Sequence, residues 1–401
     1  MRRRESGSVF VLTLAVMAGL VLLLTSAANS NGESIRSQTN RMERERARLL
    51  VDSGIQRAIA CLQSQDPNLA TLNDDWATLG NSGDTEFEVG NDSFRIQILD
   101  ACSRINVNTA DQDTLKQLPL TSDQVDAIMD WRDAAKTPRP QGAKDEYYNQ
   151  LQTPYNAKLQ TLGSVDELLL VKGITPSMLY TAGQGGSSAP ALSELLTVDS
   201  NSADQNPAKQ PKLDANSVSQ DQLMAAGVPQ DQATAIVQNE GKYKRLGDVL
   251  GLPGMTKAAA HAVLDSLQVG SATQHPGLLN INTTPEDVLA AVPHLDPDIA
   301  ASIVARQGDG FKSLGDLIDI PGMEMTNLSQ VADRFCVGSR SFLVRVVGKA
   351  GRFEVAYVAS LTLADRSQVQ ISRIQPEQLP DAPKRWGWPD VPSRQVVLGE
   401  Q

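Results

Sequence analysis

The sequence predicts an α+β fold: a long N-terminal helix and a small antiparallel sheet interrupted by a large all-α insertion. Three observations predict it. An uncharged apolar run follows an arginine cluster and passes into an amphipathic helical pattern. Alternating strand patterns occur only on either side of a long middle region, at 86–99 and 342–374. Between them lie three related units with helical periodicity.

Composition supports this and excludes some functions. The 401 residues are too many for one compact domain, and 41 % hydrophobic content is enough to build cores. Aromatic residues are only 4 %, against a chain built mainly of sandwich or barrel cores. Lys+Arg is 36 and Asp+Glu is 47, a net charge of −11 that disfavours a polyanion partner. The three His and three Cys are scattered, with no zinc spacing. No nucleophile–base pair or carboxylate dyad has a motif around it, so no enzyme activity, catalytic residue or required cofactor is expected.

Arg2, Arg3 and Arg4 precede the apolar core Val9 to Leu24. Val9 to Ala28 just reaches the roughly 20 residues a spanning helix needs, and the arginines hold its start in the cytoplasm. Glu33 to Leu62 then carries Ile35, Met42, Leu49, Ile55, Ile59 and Leu62 at helical spacings. A single helix over 8–63 would be about 84 Å long, with Asn29 to Gly32 expected to kink or loosen it. Two cleavages compete: an ordinary signal peptidase cut near Ser26–Ala28, or one before the apolar run, at Gly7. Arginines, Gly7 and then a retained apolar helix resemble a type IV prepilin leader, cut between Gly7 and Ser8 by a prepilin peptidase. The fifth residue after Gly7 is Leu12, where that superfamily usually carries Glu to pair with a neighbour's amino terminus. The resemblance associates its absence with the tip subunit, since a lone carboxylate in hydrocarbon is costly.

The strands expected are Glu86 to Val89, Phe94 to Leu99, Phe342 to Val347, Phe353 to Leu363 and Val369 to Ile374. The units between them open on Ile105–Thr109, Leu213–Ser217 and Leu279–Thr283, whose last residue is a plausible N-cap. They close at Leu162, Leu246 and Leu314. The first is longer by roughly 22 to 24 residues, inserted within 132–160. The expected divisions are a leader 1–7, a transmembrane and amphipathic helix 8–63, and sheet 64–104. Helical units follow at 105–190, 212–270 and 278–337, with a linker at 191–211. Closing strands 338–375 and a Pro-rich tail 376–401 complete the chain.

The units resemble helix-hairpin-helix pairs, many of which bind DNA phosphates through glycine-rich hairpins. Pro253–Thr256 and Pro321–Glu324 lack the second glycine, and 278–336 holds three basic and nine acidic residues. Nucleic acid is therefore not the expected partner; a membrane-anchored DNA-uptake receptor and a secreted helical adaptor are the alternatives.

The insertion holds Gly142-Ala143-Lys144-Asp145-Glu146-Tyr147-Tyr148, then Pro154-Tyr155, then Asp166-Glu167-Leu168 to Val171-Lys172-Gly173-Ile174-Thr175. With Asp100 and Arg104 to Asn108 before it, this block resembles minor pseudopilin K of type II secretion systems. Lys144 departs from the family's acidic residue. The resemblance implies a pilin-like sheet split by a helical domain, in a single-pass inner-membrane protein with a periplasmic head. It implies other minor pseudopilins and the inner-membrane secretion platform as partners, at the tip of a pseudopilus. It also implies calcium in the inserted domain, with Asp145 and Glu146, and with Asp126, Asp130 and Asp133, as the acids a cation could use. In that oxidising compartment Cys102 and Cys336, at the entry and exit of the insertion, could pair, leaving Cys61 free.

Overall fold

A computed structural model describes residues 5–183, 190–202, 205–239, 241–364 and 368–398, without the side chains of 5–9 and 27–34. Helix α1 spans Glu5–Leu62 as one element of 58 residues, so its backbone runs through 29–32 without the expected break. Among the described residues no helix is long and apolar enough to cross a membrane. The described side chains of the apolar stretch, such as Phe10, Leu14 and Leu23, are exposed.

The C-terminal part of α1 lies along the sheet. Ala47, Leu50, Val51, Ile55, Ala58 and Leu62 fall on one face of the helix and are all buried. Glycine permits the close approach: a Cβ on Gly54 would lie 2.6 Å from Val346, and one on Gly348 would lie 2.2 Å from the Ala47 carbonyl. The apolar residues read at helical spacings do not share one face. Ile35, Met42 and Leu49, seven residues apart, face outward and are about two-thirds exposed (64 %, 64 % and 63 %).

The sheet has six strands: β1 (Thr85–Val89), β2 (Asp92–Asp100), β3 (Ser341–Ala350), β4 (Phe353–Leu363), β5 (Val369–Pro376) and β6 (Arg394–Val397). Their order is β5-β4-β3-β2-β1-β6. All pairs are antiparallel except β1 with β6, where Thr85 to Glu88 run parallel to Arg394 to Val397. This corrects the expected antiparallel sheet, and it places part of the Pro-rich tail 376–401 in the sheet as β6. The tail after β5 lays Trp386 and Trp388 on the face opposite α1, beside Val347, Ala356 and Val358, before ending as β6. Arg95 stacks on Trp388 and Arg345 on Trp386, at 5.2 and 5.3 Å from the ring centres.

The chain leaves the sheet at Asp100 and returns at Ser341, so the all-α insertion hangs between β2 and β3. Each unit is tied at its base by a two-residue parallel ladder. Ile105–Asn106 pairs with Leu196–Thr197, Leu213–Asp214 with Leu267–Gln268, and Leu279–Asn280 with Phe335–Cys336. The first unit thus extends to Thr197, taking the start of the segment expected to be linker.

The repeated asparagines explain the repeat. In each opening, Asn106, Asp214 or Asn280 accepts from the backbone N–H two residues on, an Asx turn of 2.9–3.0 Å. The next amide, of Asn108, Asn216 or Asn282, then clamps a distant loop from both sides: it donates to a carbonyl and accepts from the N–H of the same residue. Those residues are Leu162, Tyr243 and Phe311. Thr109, Ser217 and Thr283 are not the N-caps expected of them. Asp111 and Ser219 cap the following helices in the first two units. Thr283 instead donates to Asp100.

Candidate functional site

Three places could carry function: the neck between sheet and insertion, the acidic loop of the first unit, and the faces the units present to one another.

At the neck Asp100 is buried and accepts four donors. The Cys102 N–H lies at 2.7 Å, the Asn280 amide at 2.8 Å and the Thr283 hydroxyl at 2.7 Å, and Ser339 completes the set. Burial pushes its carboxyl above the usual range, against those donors. Cys102 and Cys336 are buried free thiols beside this hub. The Cys336 thiol, burial and then Asp100 hold the Cys102 thiol well above its usual pKa. The structure therefore brings the expected pair together, and Cys61 lies apart in α1. No sequence signal marked Asp100 as the centre.

A second anchor joins the first unit to the sheet. Glu194 bridges Arg104 at 2.9 Å and Arg345 at 2.5 Å. Burial raises Glu194, but the two guanidinium groups overcome it and hold its carboxyl below the usual range. Arg345, buried, is pushed down to about 10 by desolvation. Asp199 accepts from Arg373 at 2.6 Å and from Ser360 at 2.8 Å, tying the unit's exit to β4 and β5.

Glu194 has counterparts. It stands two residues before its unit's closing strand, as Asp265 and Asp333 do in theirs. Asp333 of the third unit accepts from the N–H groups of Leu246 and Gly247, at the start of the second unit's helix Leu246–Leu250. Asp265 of the second unit accepts from the Gly315 N–H at 2.8 Å, at the matching turn of the third. The contacts are reciprocal, so the two units meet about a pseudo-twofold axis. Glycine is needed at both points: a Cβ on Gly247 would lie 1.9 Å from the Ser329 carbonyl, and one on Gly315 would lie 2.6 Å from His261.

In the first unit Tyr148 of the tyrosine block forms core, with Tyr155 half-buried beside it and Tyr147 exposed. Tyr148 is fully buried, stacks on Tyr155 at 5.3 Å and meets Trp131 edge-on at 5.2 Å. Burial pushes its hydroxyl up to about 12.

The acids expected to serve calcium are already engaged by the chain. Asp126 accepts from Gln112 and from the Gln141 N–H. Asp130 accepts from the Arg139 guanidinium and backbone N–H, at 2.7 and 3.0 Å. Asp133 accepts from Arg139 and the Ala135 N–H. Asp145 accepts from the Ala157 N–H at 2.8 Å, and Glu146 is exposed. Among the described residues no three acids, His or Cys converge as metal ligands. These residues do not fit a calcium site. Leu12 lies on α1 with two-thirds of its surface exposed. Gly7 and Ser8 are within the helical backbone, their surroundings outside the described residues.

Comparison with known proteins agrees with this architecture. Residues 104–182 match the first-domain family model of type II secretion system protein K, and residues 279–335 match a second model of the same protein. Type II secretion system protein K of Pectobacterium carotovorum subsp. carotovorum is 24 % identical over 200 residues, 43 % of this chain. The matched region spans 60 % of that relative's length. A chain from the crystal structure of the GspK–GspI–GspJ complex of the enterotoxigenic Escherichia coli type 2 secretion system superposes with a TM-score of 0.53. It is 12 % identical, and the match covers 85 % of this chain and 99 % of that one.

Proposed function

We propose that this chain, two segments of which match family models of type II secretion system protein K, is a minor pseudopilin at the tip of the periplasmic pseudopilus, helping to initiate assembly and to limit growth. One observation carries the reading: both family segments fall in the insertion that interrupts the sheet beside α1. A prepilin peptidase cuts between Gly7 and Ser8. The apolar stretch of α1 then anchors the chain in the inner membrane, with the head in the periplasm. Leu12 leaves the subunit without the carboxylate that would receive a neighbour above it. Its partners are other minor pseudopilins and the inner-membrane platform, and the exposed row Ile35, Met42, Leu49 supports helix-to-helix contact below the head. The helix-hairpin-helix-like units serve as a protein-facing cap. Their charge, and the carboxylates already seated at the helix starts of Leu246 and Leu314, support that use over DNA binding.

In that compartment Cys102 and Cys336 join as a disulfide that closes the neck. The two thiols give two protons and two electrons to a thiol-oxidant protein, whose own disulfide is reduced. Faster migration without reductant, lost in Cys336→Ser, is expected; identical migration would sink the pairing. N-terminal sequencing of the mature protein tests the anchor. A start at Ser8 is expected, and a start near Asn29 would remove the membrane helix and with it the tip role.

A further inference from the structure

The loop joining helix Ser122–Arg132 to the tyrosine block is folded around cations that the chain supplies itself. Helix C-termini leave carbonyls without partners and concentrate negative partial charge. Here those carbonyls receive an ammonium. Lys144 Nζ donates to the Asp130 carbonyl at 2.5 Å and to the Asp133 carbonyl at 2.7 Å, and Lys144 is only 6 % exposed. Arg139 grips the two carboxylates of the same residues, at 2.7 Å from Asp130 and 3.2 Å from Asp133. From the other side Lys172 reaches the Gln141 carbonyl at 3.2 Å. The loop closes so tightly that a Cβ on Gly142 would lie 1.8 Å from Asp130 Oδ2. Carbonyl oxygens held by one buried ammonium and carboxylates of the same residues held by the adjoining guanidinium are the kinds of oxygen a hard divalent cation also seeks.

We propose that the Lys144 ammonium, with the Arg139 guanidinium, is a built-in replacement for a divalent cation, so that the first unit holds its loop without calcium. A second positive charge beside a buried ammonium would be repelled, and the carboxylate oxygens it needs are already hydrogen-bonded to Arg139 and to backbone N–H groups. The aromatic core of the unit rests on this loop. Tyr148 follows Lys144 by four residues, and its hydroxyl accepts from the Lys172 N–H at 3.2 Å. The cation site and the Trp131–Tyr148–Tyr155 packing therefore form one structure. The inference stands on this geometry and does not depend on the tip role.

The test uses the full-length protein in detergent, melted with near-ultraviolet circular dichroism as the readout, in calcium and in a calcium chelator. The wild type is expected to melt at the same temperature in both. Lys144→Gln is expected to melt several degrees lower and to lose aromatic signal. Lys144→Glu, which removes the ammonium and adds a carboxylate, is expected to regain stability when calcium is added. A wild type stabilised by calcium would overturn the proposal, as would Lys144→Gln melting with the wild type. If Lys144→Gln does not fold, the wild-type comparison alone still decides.

Discussion

At the residue scale the decisive groups are buried polar side chains with complete sets of partners. Asn282 is fully buried and closes a bidentate clamp on Phe311, donating at 3.0 Å and accepting at 2.6 Å. Asn282→Ala would leave both Phe311 backbone groups unpaired, at a cost of about 1–3 kcal/mol each. Denaturant unfolding should show the loss, and Asn282→Asp should recover only the accepting half. Glu194 makes the pH prediction. Its folded pKa is depressed, so its contribution is present above the unfolded value of about 4.3 and is lost as pH falls through the folded value. At neutral pH Glu194→Ala strands Arg345 in the interior, for which about 3–5 kcal/mol is expected. The gap between wild type and Glu194→Gln should shrink on acidification; a gap independent of pH would contradict the ion pair. Part of this was legible in the sequence. The recurring Asn marked the repeat, but not which loop each amide would hold. Lys144 stood out as a departure, but its carbonyl partners became visible only once the helix end was in place. Thr109, Ser217 and Thr283 misled because a hydroxyl before a helical run suits a turn as well as a cap.

At the element scale one position of the repeat does two jobs. In the second and third units Asp265 and Asp333 cap each other's helix starts, and in the first unit Glu194 grips the sheet instead. The second unit is therefore built to pair with the third, while the first is built to join the sheet. Gly247→Ala should open that pair, because its Cβ would meet backbone that cannot swing aside, and overpacking of this kind costs about 1–3 kcal/mol. Hydrogen exchange should show weakened protection in both units at once; weakening confined to the second would contradict the reciprocal contact. The sequence revealed the helices and the long strands because their periods of 3.6 and 2 are strong. It concealed β6. Arg394 to Val397 is four residues long, follows a Pro-rich stretch and is exposed throughout, so neither length nor alternation marks it. The inward face of α1 was only half legible: Ile55 and Leu62 pack on the sheet, while Met42 and Leu49 sit on a second stripe that points away from it.

At the scale of the whole molecule, one sheet receives three different covers. α1 lies on one face, the Trp386–Trp388 tail lies on the other, and the insertion is bound through Asp100, Glu194 and Asp199. A head fixed at three points moves with its helix, which is what a cap on a growing filament requires. The net charge of −11 fits such a surface: in the third unit Glu286, Asp287, Asp296, Asp298, Asp309, Asp319 and Glu324 are exposed, while Asp333 turns to an internal helix start. The most direct test of the central claim is the length of pseudopili assembled from the major pseudopilin with and without this chain. Short filaments in its presence and long ones in its absence are predicted. Equal length distributions would contradict its place at the tip.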